Sequence, residues 1–247
     1  MARYDFSSPR LYVDASLSEG DTLTLGSEHG NYLVNVLRLR AGARVLVFNG
    51  RDGEYAARLE ATSRRGAALV LGARERVQEF PPELDYLFAP LKHARLDYMA
   101  QKAVEMGARR LRPVMTSRTQ ASRVNLDRLR ANAREAAEQC GIIWLPEVIA
   151  ETPLAEALEG WPAGRLLIFC DEEAPRGSPI AALAERTAPD GVALLIGPEG
   201  GFDDAERAAV LRVPEVVRLS LGPRILRADT AAVAALALVQ AQLGDWR

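Results

Sequence analysis

The stretch LLIGPEGGFDDAE, Leu194–Glu206, decides the fold. With Val192 and Ala193 before it, it opens as a continuous apolar strand ending at Ile196. Gly197-Pro198-Glu199-Gly200-Gly201-Phe202 then turns the chain, and a helix is predicted from about Asp203. Asp203 and Asp204 suit the positive end of that helix. Gly197, Gly200 and Gly201 let backbone approach a ligand closely, and Pro198 stiffens the turn. In open α/β sheets ligands bind outside the carboxyl ends of the strands. Taken alone, a plain glycine-rich strand-to-helix turn has the same composition.

Working outward, the same grammar recurs. LSLGPRILRADTAA, Leu219–Ala232, again puts Gly-Pro after an apolar strand, here Val216 to Leu221. It then offers Arg224, Arg227, Asp229 and Thr230 before an Ala-rich helix that runs to about Leu243. Upstream, Leu84–Leu91, Leu111–Val114, Leu145–Ile149 and Leu166–Cys170 read as strands. Leu96, Met99, Ala103 and Met106 mark one face of a helix closed by Gly107, and Asn125 caps another whose buried face ends at Cys140. Strands alternating with helices predict a mostly parallel α/β sheet.

The first 73 residues read differently. Val45–Phe48 and Glu54–Leu59 flank Asn49-Gly50-Arg51-Asp52-Gly53, a strong hairpin signal, and Ala67–Leu71 is a further strand. Glycines at 20, 26, 30, 42 and 66 punctuate the segment as in a small β-barrel. One helix is expected between Glu28 and Leu39, where Tyr32, Leu33, Val36 and Leu37 recur at helical spacing. The Pro81-Pro82 pair sits in a linker candidate. The expected division is therefore 1–73 and 74–247.

Composition excludes several classes. At 247 residues, 48% apolar and 26% charged, the chain is an ordinary globular one and not a disordered or collagen-like one. Two cysteines and two histidines make neither a disulfide framework nor a metal site, and no metal is expected. The N-terminus lacks an apolar signal segment. Thr230–Leu243 is too short to span a bilayer and is broken by Gln240 and Gln242, so a soluble cytoplasmic protein is expected. Residues 92–134 hold eleven Lys/Arg against three Asp/Glu, whereas 135–215 hold five against sixteen. A basic stretch inside an acidic chain suggests a face for a polyanion, although solvated helix faces give the same count. There is no P-loop, no G-x-G-x-x-G after a strand, no G-x-S-x-G and no H-E-x-x-H.

The two strand-end loops together resemble the C-terminal motifs of the SPOUT, or trefoil-knot, methyltransferases. Three further segments narrow the resemblance to the RsmE family, which methylates N3 of a uridine in 16S ribosomal RNA. They are His29 with Val36-Leu37-Arg38, Lys102–Gly107 and Glu135–Gly141. The set covers nearly the whole chain in order. The resemblance implies a PUA-like N-terminal barrel that binds RNA, a knotted C-terminal α/β domain, a homodimer through that domain, and no membrane. It also implies S-adenosylmethionine in the knot, held at Leu195, Ile196, Gly197, Pro198, Glu199, Gly200 and Gly201. The second half of that pocket maps to Leu219, Ser220, Leu221, Gly222, Ile225 and Leu226, with Arg227 and Thr230 beside them. The family usually has Glu at the position of Asp229 and Arg at the position of Ile142.

Chemistry then nominates residues. The uracil N3 must lose its proton to attack a sulfonium methyl, so a carboxylate that accepts it or an arginine that stabilises charge on O2 and O4 is needed. Arg227 is the candidate arginine, and Glu199 and Asp229 are candidate bases. Glu199 bonding loop backbone and Asp229 capping a helix are the alternatives. Arg10, His29, Arg38, Arg118 and Arg123 are the candidate RNA contacts. Two other readings stay open: a non-catalytic RNA-binding or assembly module, and a SPOUT enzyme acting on transfer RNA.

Overall fold

The computed structural model describes residues 5, 7–63, 66–92, 94–184, 186–188 and 190–246, with backbone alone at 61–63 and 66. His93, one of the two histidines counted above, lies outside them. The chain forms two compact units, 1–80 with 137–145, and 81–136 with 146–247.

The first unit contains β1 (Arg10–Tyr12), β2 (Thr22–Leu25), β3 (Arg44–Phe48), β4 (Glu54–Ser63) and β5 (Gly66–Arg76). They pair in the order β1-β3-β4-β5-β2, antiparallel except for the parallel β1–β3 pair, as a PUA-like half-barrel. The sequence places a boundary at 73, and β5 continues to Arg76. The expected hairpin joins β3 to β4. Asn49, 2% exposed, fixes it by accepting from the amides of Arg51 and Asp52 at 2.9 Å each and donating to the Ala15 carbonyl at 2.8 Å. Gly50 and Gly53 take positive φ, and a Cβ on Gly53 would collide with the Arg76 carbonyl. Leu11, Leu33, Val45, Val47, Leu59 and Leu69 fill the core. Residues 137–145 belong to this unit: Ala137, Ile142 and Ile143 pack on Phe48, and the Glu138 carboxylate accepts from the Tyr12 amide at 2.9 Å. Where the family has arginine, Ile142 is thus a packing residue.

The helix expected over 28–39 is shorter and changes form. Helix α1 (Ser27–Asn31) passes into a π-helical turn at Tyr32–Val36. The widened turn shifts the period, so Val36, counted on the apolar face, is 60% exposed while Leu33 is fully buried.

The second unit contains β6 (Leu84–Phe88), α2 (Ala94–Glu105), β7 (Arg110–Met115), α3 (Leu126–Cys140, its last turn in the first unit), β8 (Glu147–Val148), β9 (Thr152–Pro153), α4 (Leu154–Leu158), β10 (Leu166–Cys170), α5 (Pro179–Ala184), β11 (Val192–Ile196), α6 (Asp204–Leu211), β12 (Val216–Leu219) and α7 (Ala228–Leu243). The sheet runs β12-β10-β11-β6-β7-β8, every pair parallel, and β9 adds to β7. Every residue of β6 and β11 is buried, which is why β11 reads as an unbroken apolar run and β6 as one interrupted only by Asp85, rather than as alternating strands. As expected, Asn125 caps α3 by accepting from the Arg128 amide at 3.0 Å, and Gly107 ends α2 at φ 79°. The strand expected over Leu145–Ile149 is reduced to β8. Gln240, which interrupts the apolar run of α7, is 1% exposed and donates to the Met106 carbonyl at 2.6 Å, satisfying the end of α2. Among the described residues no helix is long and apolar enough to cross a membrane.

Candidate active site

Three adjacent strands, β12, β10 and β11, end at one edge of the parallel sheet, and the loops leaving them enclose a cavity of about 470 Å³. From the first loop come Ile196 to Gly201, and from the second Leu219 to Leu226. Close packing explains the glycines. A Cβ on Gly197 would stand 2.5 Å from the Phe202 ring, which folds back to stack edge-on against Phe169. Gly201 has φ 69° with the Glu172 carboxylate against it, and Gly222 has φ 100°. The Asp203 carboxylate accepts from the Glu206 amide at 2.8 Å while Glu206 accepts from the Asp203 amide, a capping box that starts α6 where the two aspartates placed it.

Most of the expected cofactor residues line this cavity. Three do not. Leu195 is fully buried in the core beneath the sheet's end, and Arg227 and Thr230 are exposed beside the lining residue Ala228. A strand alternates its faces, so Leu195 and Ile196 cannot both look into one space. The third loop, 171–176 after β10, was missed: Asp171, Glu172, Glu173 and Arg176 all line the cavity. Its signal was available in part, since Leu166–Cys170 read as a strand. That β10 lies between β11 and β12 is a matter of strand order, which local pattern does not carry.

The charges of the cavity divide into held and unheld. Asp171, 3% exposed, accepts from Arg207 at 2.9 Å and Arg218 at 2.7 Å, and Glu173 pairs with Arg207. Glu199 accepts from Arg95 at 2.6 Å. Glu172, Arg176 and Arg224 have no side-chain partner among the described residues. Burial pushes the Cys170 thiol, also on the lining, well up and keeps it protonated.

Arg95, at the start of α2, was not singled out from sequence. Its Nε and Nη2 donate to the two oxygens of Asp229 at 3.0 and 3.2 Å, and its Nη1 to Oε1 of Glu199. The hydrogen bond from Arg95 holds the Asp229 carboxyl below its ordinary range, against the opposing effect of burial. Asp229 reaches Arg95 although it is one methylene shorter than the glutamate usual in the family. It sits in the first turn of α7, and its side chain also accepts from the Thr230 amide at 2.9 Å. The residue at the cap position itself is Arg227.

The basic stretch is mostly spent inside the fold. Arg95, Lys102, Arg109, Arg110, Arg112, Arg128 and Arg130, seven of its eleven cations, pair with carboxylates. Arg118 is exposed and donates to the Gly200 carbonyl at 2.7 Å, which brings it to the cavity's first loop. Arg123 is exposed. In the first unit Arg38 is exposed at φ 55°, a conformation seldom adopted by a side chain with a Cβ, and His29 is half-buried. Arg10 corrects the expectation of a phosphate contact: it is 7% exposed, its Nε on Glu54 at 3.0 Å and its Nη2 on the Asp5 carbonyl at 2.7 Å. A buried, paired guanidinium serves the half-barrel and is closed to RNA.

A parallel α/β unit with a cavity over its strand ends, in one chain with a PUA-like half-barrel, defines an RNA methyltransferase, and the family models agree. Residues 78–240 match the RNA methyltransferase domain and 25–71 the RNA methyltransferase PUA domain. The chain is 32% identical to the ribosomal RNA small subunit methyltransferase E of Synechocystis, over 90% of this chain and 74% of that one. It is 27% identical to the enzyme of the same name from Rickettsia conorii, over 94% of each. The crystal structure of the Neisseria gonorrhoeae ribosomal RNA small subunit methyltransferase E bound to S-adenosyl methionine superposes with a TM-score of 0.86 at 28% identity, covering 97% of this chain and all of that one. The chain belongs to the ribosomal RNA small subunit methyltransferase E family.

Proposed function

We propose that this chain methylates N3 of one uridine in 16S ribosomal RNA, with S-adenosylmethionine as methyl donor, in the cytoplasm and as a homodimer formed through a knotted C-terminal domain. The observation that carries the reading is the cavity over β10, β11 and β12 in a chain of this family. The residues present fit the cofactor. Small-molecule sites occupy about 300–1,000 Å³, and this one falls inside that range. Two of its walls are glycine-rich backbone, suited to hold an adenine by amide and carbonyl groups. Glu172, without a side-chain partner among the described residues, suits the ammonium of the methionine end, and Arg176 and Arg224 its carboxylate. Bound there, the cofactor supplies an electrophilic methyl group on a sulfonium.

The chain's own residues do the rest. Uracil N3 carries a proton, and its lone pair is free to bond carbon only once that proton leaves. Glu199 accepts it: Oε1 is occupied by Arg95, and Oε2 has no partner among the described residues. Asp229 is a poor acceptor because both its oxygens are taken and its carboxyl is held acidic. Arg227, exposed at the start of α7, stabilises the negative charge that spreads to O2 and O4. The methylated edge is the Watson–Crick edge, so the target is unpaired or flipped out when it reacts. Arg38 and His29 in one unit, and Arg118 and Arg123 in the other, hold the RNA backbone.

Mass-spectrometric mapping of 16S RNA from cells with the gene deleted tests the reading. A single 3-methyluridine should vanish and return with the wild-type gene. Loss of a methyl on a ribose 2′-oxygen, on guanine or on transfer RNA instead would overturn it. Titration calorimetry should give one S-adenosylmethionine per chain, and no binding would leave only an RNA-binding module.

A further inference from the structure

Two carboxylates, one from the first cavity loop and one from the helix that follows the second, meet the same guanidinium. Glu199 belongs to the loop after β11, Asp229 to the first turn of α7. Left alone, two such carboxylates repel each other and push the loops apart. Arg95 stands between them, 104 residues from one and 134 from the other. Three of its five N–H donors are used: two on Asp229 in a fork, one on Glu199. The asymmetry matters. Asp229 gives up both oxygens and has its remaining contact with the Thr230 amide, so it is an anchor. Glu199 gives up one oxygen and keeps the other.

We propose that Arg95 is a positioning residue for methyl transfer: anchored on Asp229, it fixes the carboxylate of Glu199 at the cavity's rim with Oε2 presented to the target base. The proposal rests on the assignment of Glu199 as proton acceptor made above, and it adds the device that aims it. A base oriented by a second group, itself held by a third, is the arrangement on which proton-transfer sites generally depend. The arginine is suited to this by its shape. A planar fork determines the direction of both bonds to Asp229 and therefore of the third donor, which a lysine ammonium on a flexible stem does not. Arg95 is half-exposed at the first turn of α2, and the Asp229 carboxylate it would leave behind is part-buried but keeps the hydrogen bond from the Thr230 amide, so removing Arg95 costs some stability.

The test is a kinetic cycle on the full chain with 30S-subunit RNA as substrate. Misplacing a reacting group by about 1 Å costs on the order of 10²-fold, so Arg95→Ala should lower kcat by about that factor. The KM for RNA and the calorimetric affinity for S-adenosylmethionine and S-adenosylhomocysteine should stay near wild type, and the melting temperature should fall only by what the lost Asp229 pairing contributes. Arg95→Lys should keep the charge and restore little of the rate. Because Arg95 and Asp229 act as one clamp, Arg95→Ala with Asp229→Asn should be no slower than Arg95→Ala alone. Losses that multiply would overturn the clamp. So would an Arg95→Ala rate equal to wild type, or a rate loss fully explained by lost cofactor affinity. Glu199→Gln is the separate control. If it turns over normally while the Arg95–Asp229 cycle is non-additive, the proton acceptor has been misassigned and the clamp itself stands. If Glu199→Gln is slow and Arg95→Ala is not, the reverse holds.

Discussion

At the amino ends of the parallel strands and at their carboxyl ends the same residue types, arginine and carboxylate, meet under different terms. At the amino ends Asp85, 2% exposed, is ion-paired to Arg110, Arg112 and Arg165, and Glu83 to Arg109 and Arg110. Every one of these charges has a counter-charge. At the carboxyl ends Asp171, Glu173 and Glu199 are held, while Glu172, Arg176, Arg224 and Arg227 have no side-chain partner among the described residues. The difference teaches that a charge run becomes informative only when its partners are known. The basic stretch at 92–134 looked like a polyanion face, and it supplies three of the four arginines that neutralise the amino-end carboxylates.

The comparison breaks first at Asp85. Asp85→Ala strips a buried site of its only fully buried acid and leaves three arginines facing one another. Removing one partner of a buried ionic group costs about 3–5 kcal/mol. Urea denaturation should show that loss, and turnover per folded molecule should be unchanged because the cluster lies at the strand ends away from the cavity. A stable Asp85→Ala protein would mean the amino-end cluster is as loosely held as the rim.

At the other end the expected loss is of rate and not of stability. Arg227→Ala should leave the melting temperature and S-adenosylmethionine affinity intact, since its side chain has no partner among the described residues and does not line the cavity. Losing a preorganised charged donor costs about 10²–10³ in kcat. Arg227→Lys should recover little, a point charge being no substitute for a fork. A variant that methylates at the wild-type rate removes Arg227 from the chemistry.

How far the sequence leads differs between these regions for a physical reason. Val192–Ile196 and Leu166–Cys170 read correctly to the residue, because strands buried on both faces are continuous apolar runs. The Asn49–Gly53 hairpin and the Asn125 cap are local chemistry and were equally legible. The site was legible where it follows a strand directly, at Gly197–Gly201 and Leu219–Leu226. It was not where it depends on strand order or on long-range pairing. Residues 171–176 enter the cavity because β10 lies between β11 and β12, and Arg95 is significant only once Glu199 and Asp229 meet it. Arg10 failed for the same reason: its partner Glu54 is 44 residues away.

Acid sharpens the comparison at Asp229. Its carboxyl is held below the ordinary aspartate value of 3.8, first by the Arg95 hydrogen bond, so the folded state binds its proton less readily than the unfolded chain does. The groups facing it are Arg95, Glu199, the Thr230 amide and the buried Tyr86 hydroxyl. A depressed carboxyl contributes stability that is complete above the unfolded value and is lost as pH falls through the folded one. Thermal denaturation of wild type and Asp229→Asn should therefore differ most near neutrality and converge below about pH 3.8. A gap that stays constant into acid would show that the Asp229–Arg95 pairing contributes through packing and not through charge.

The smallest effect is expected on the outer surface, where the basic stretch keeps little unpaired charge. Arg118 and Arg123 are exposed and have no carboxylate partner among the described residues, unlike the seven paired cations around them. RNA affinity should fall with salt as phosphates shed counterions, at about −0.7 in log–log slope per contact on single strands. Arg118→Ala with Arg123→Ala should flatten that slope by roughly 1.4. The two differ in one respect. Arg118 also bonds the Gly200 carbonyl, so Arg118→Ala should weaken S-adenosylmethionine binding slightly, while Arg123→Ala should leave it untouched. Filter binding between 50 and 200 mM salt, with calorimetry on each single variant, separates the two contributions. An unchanged slope in the double variant would move the phosphate footprint to other residues and leave Arg118 as a support for the cofactor loop alone.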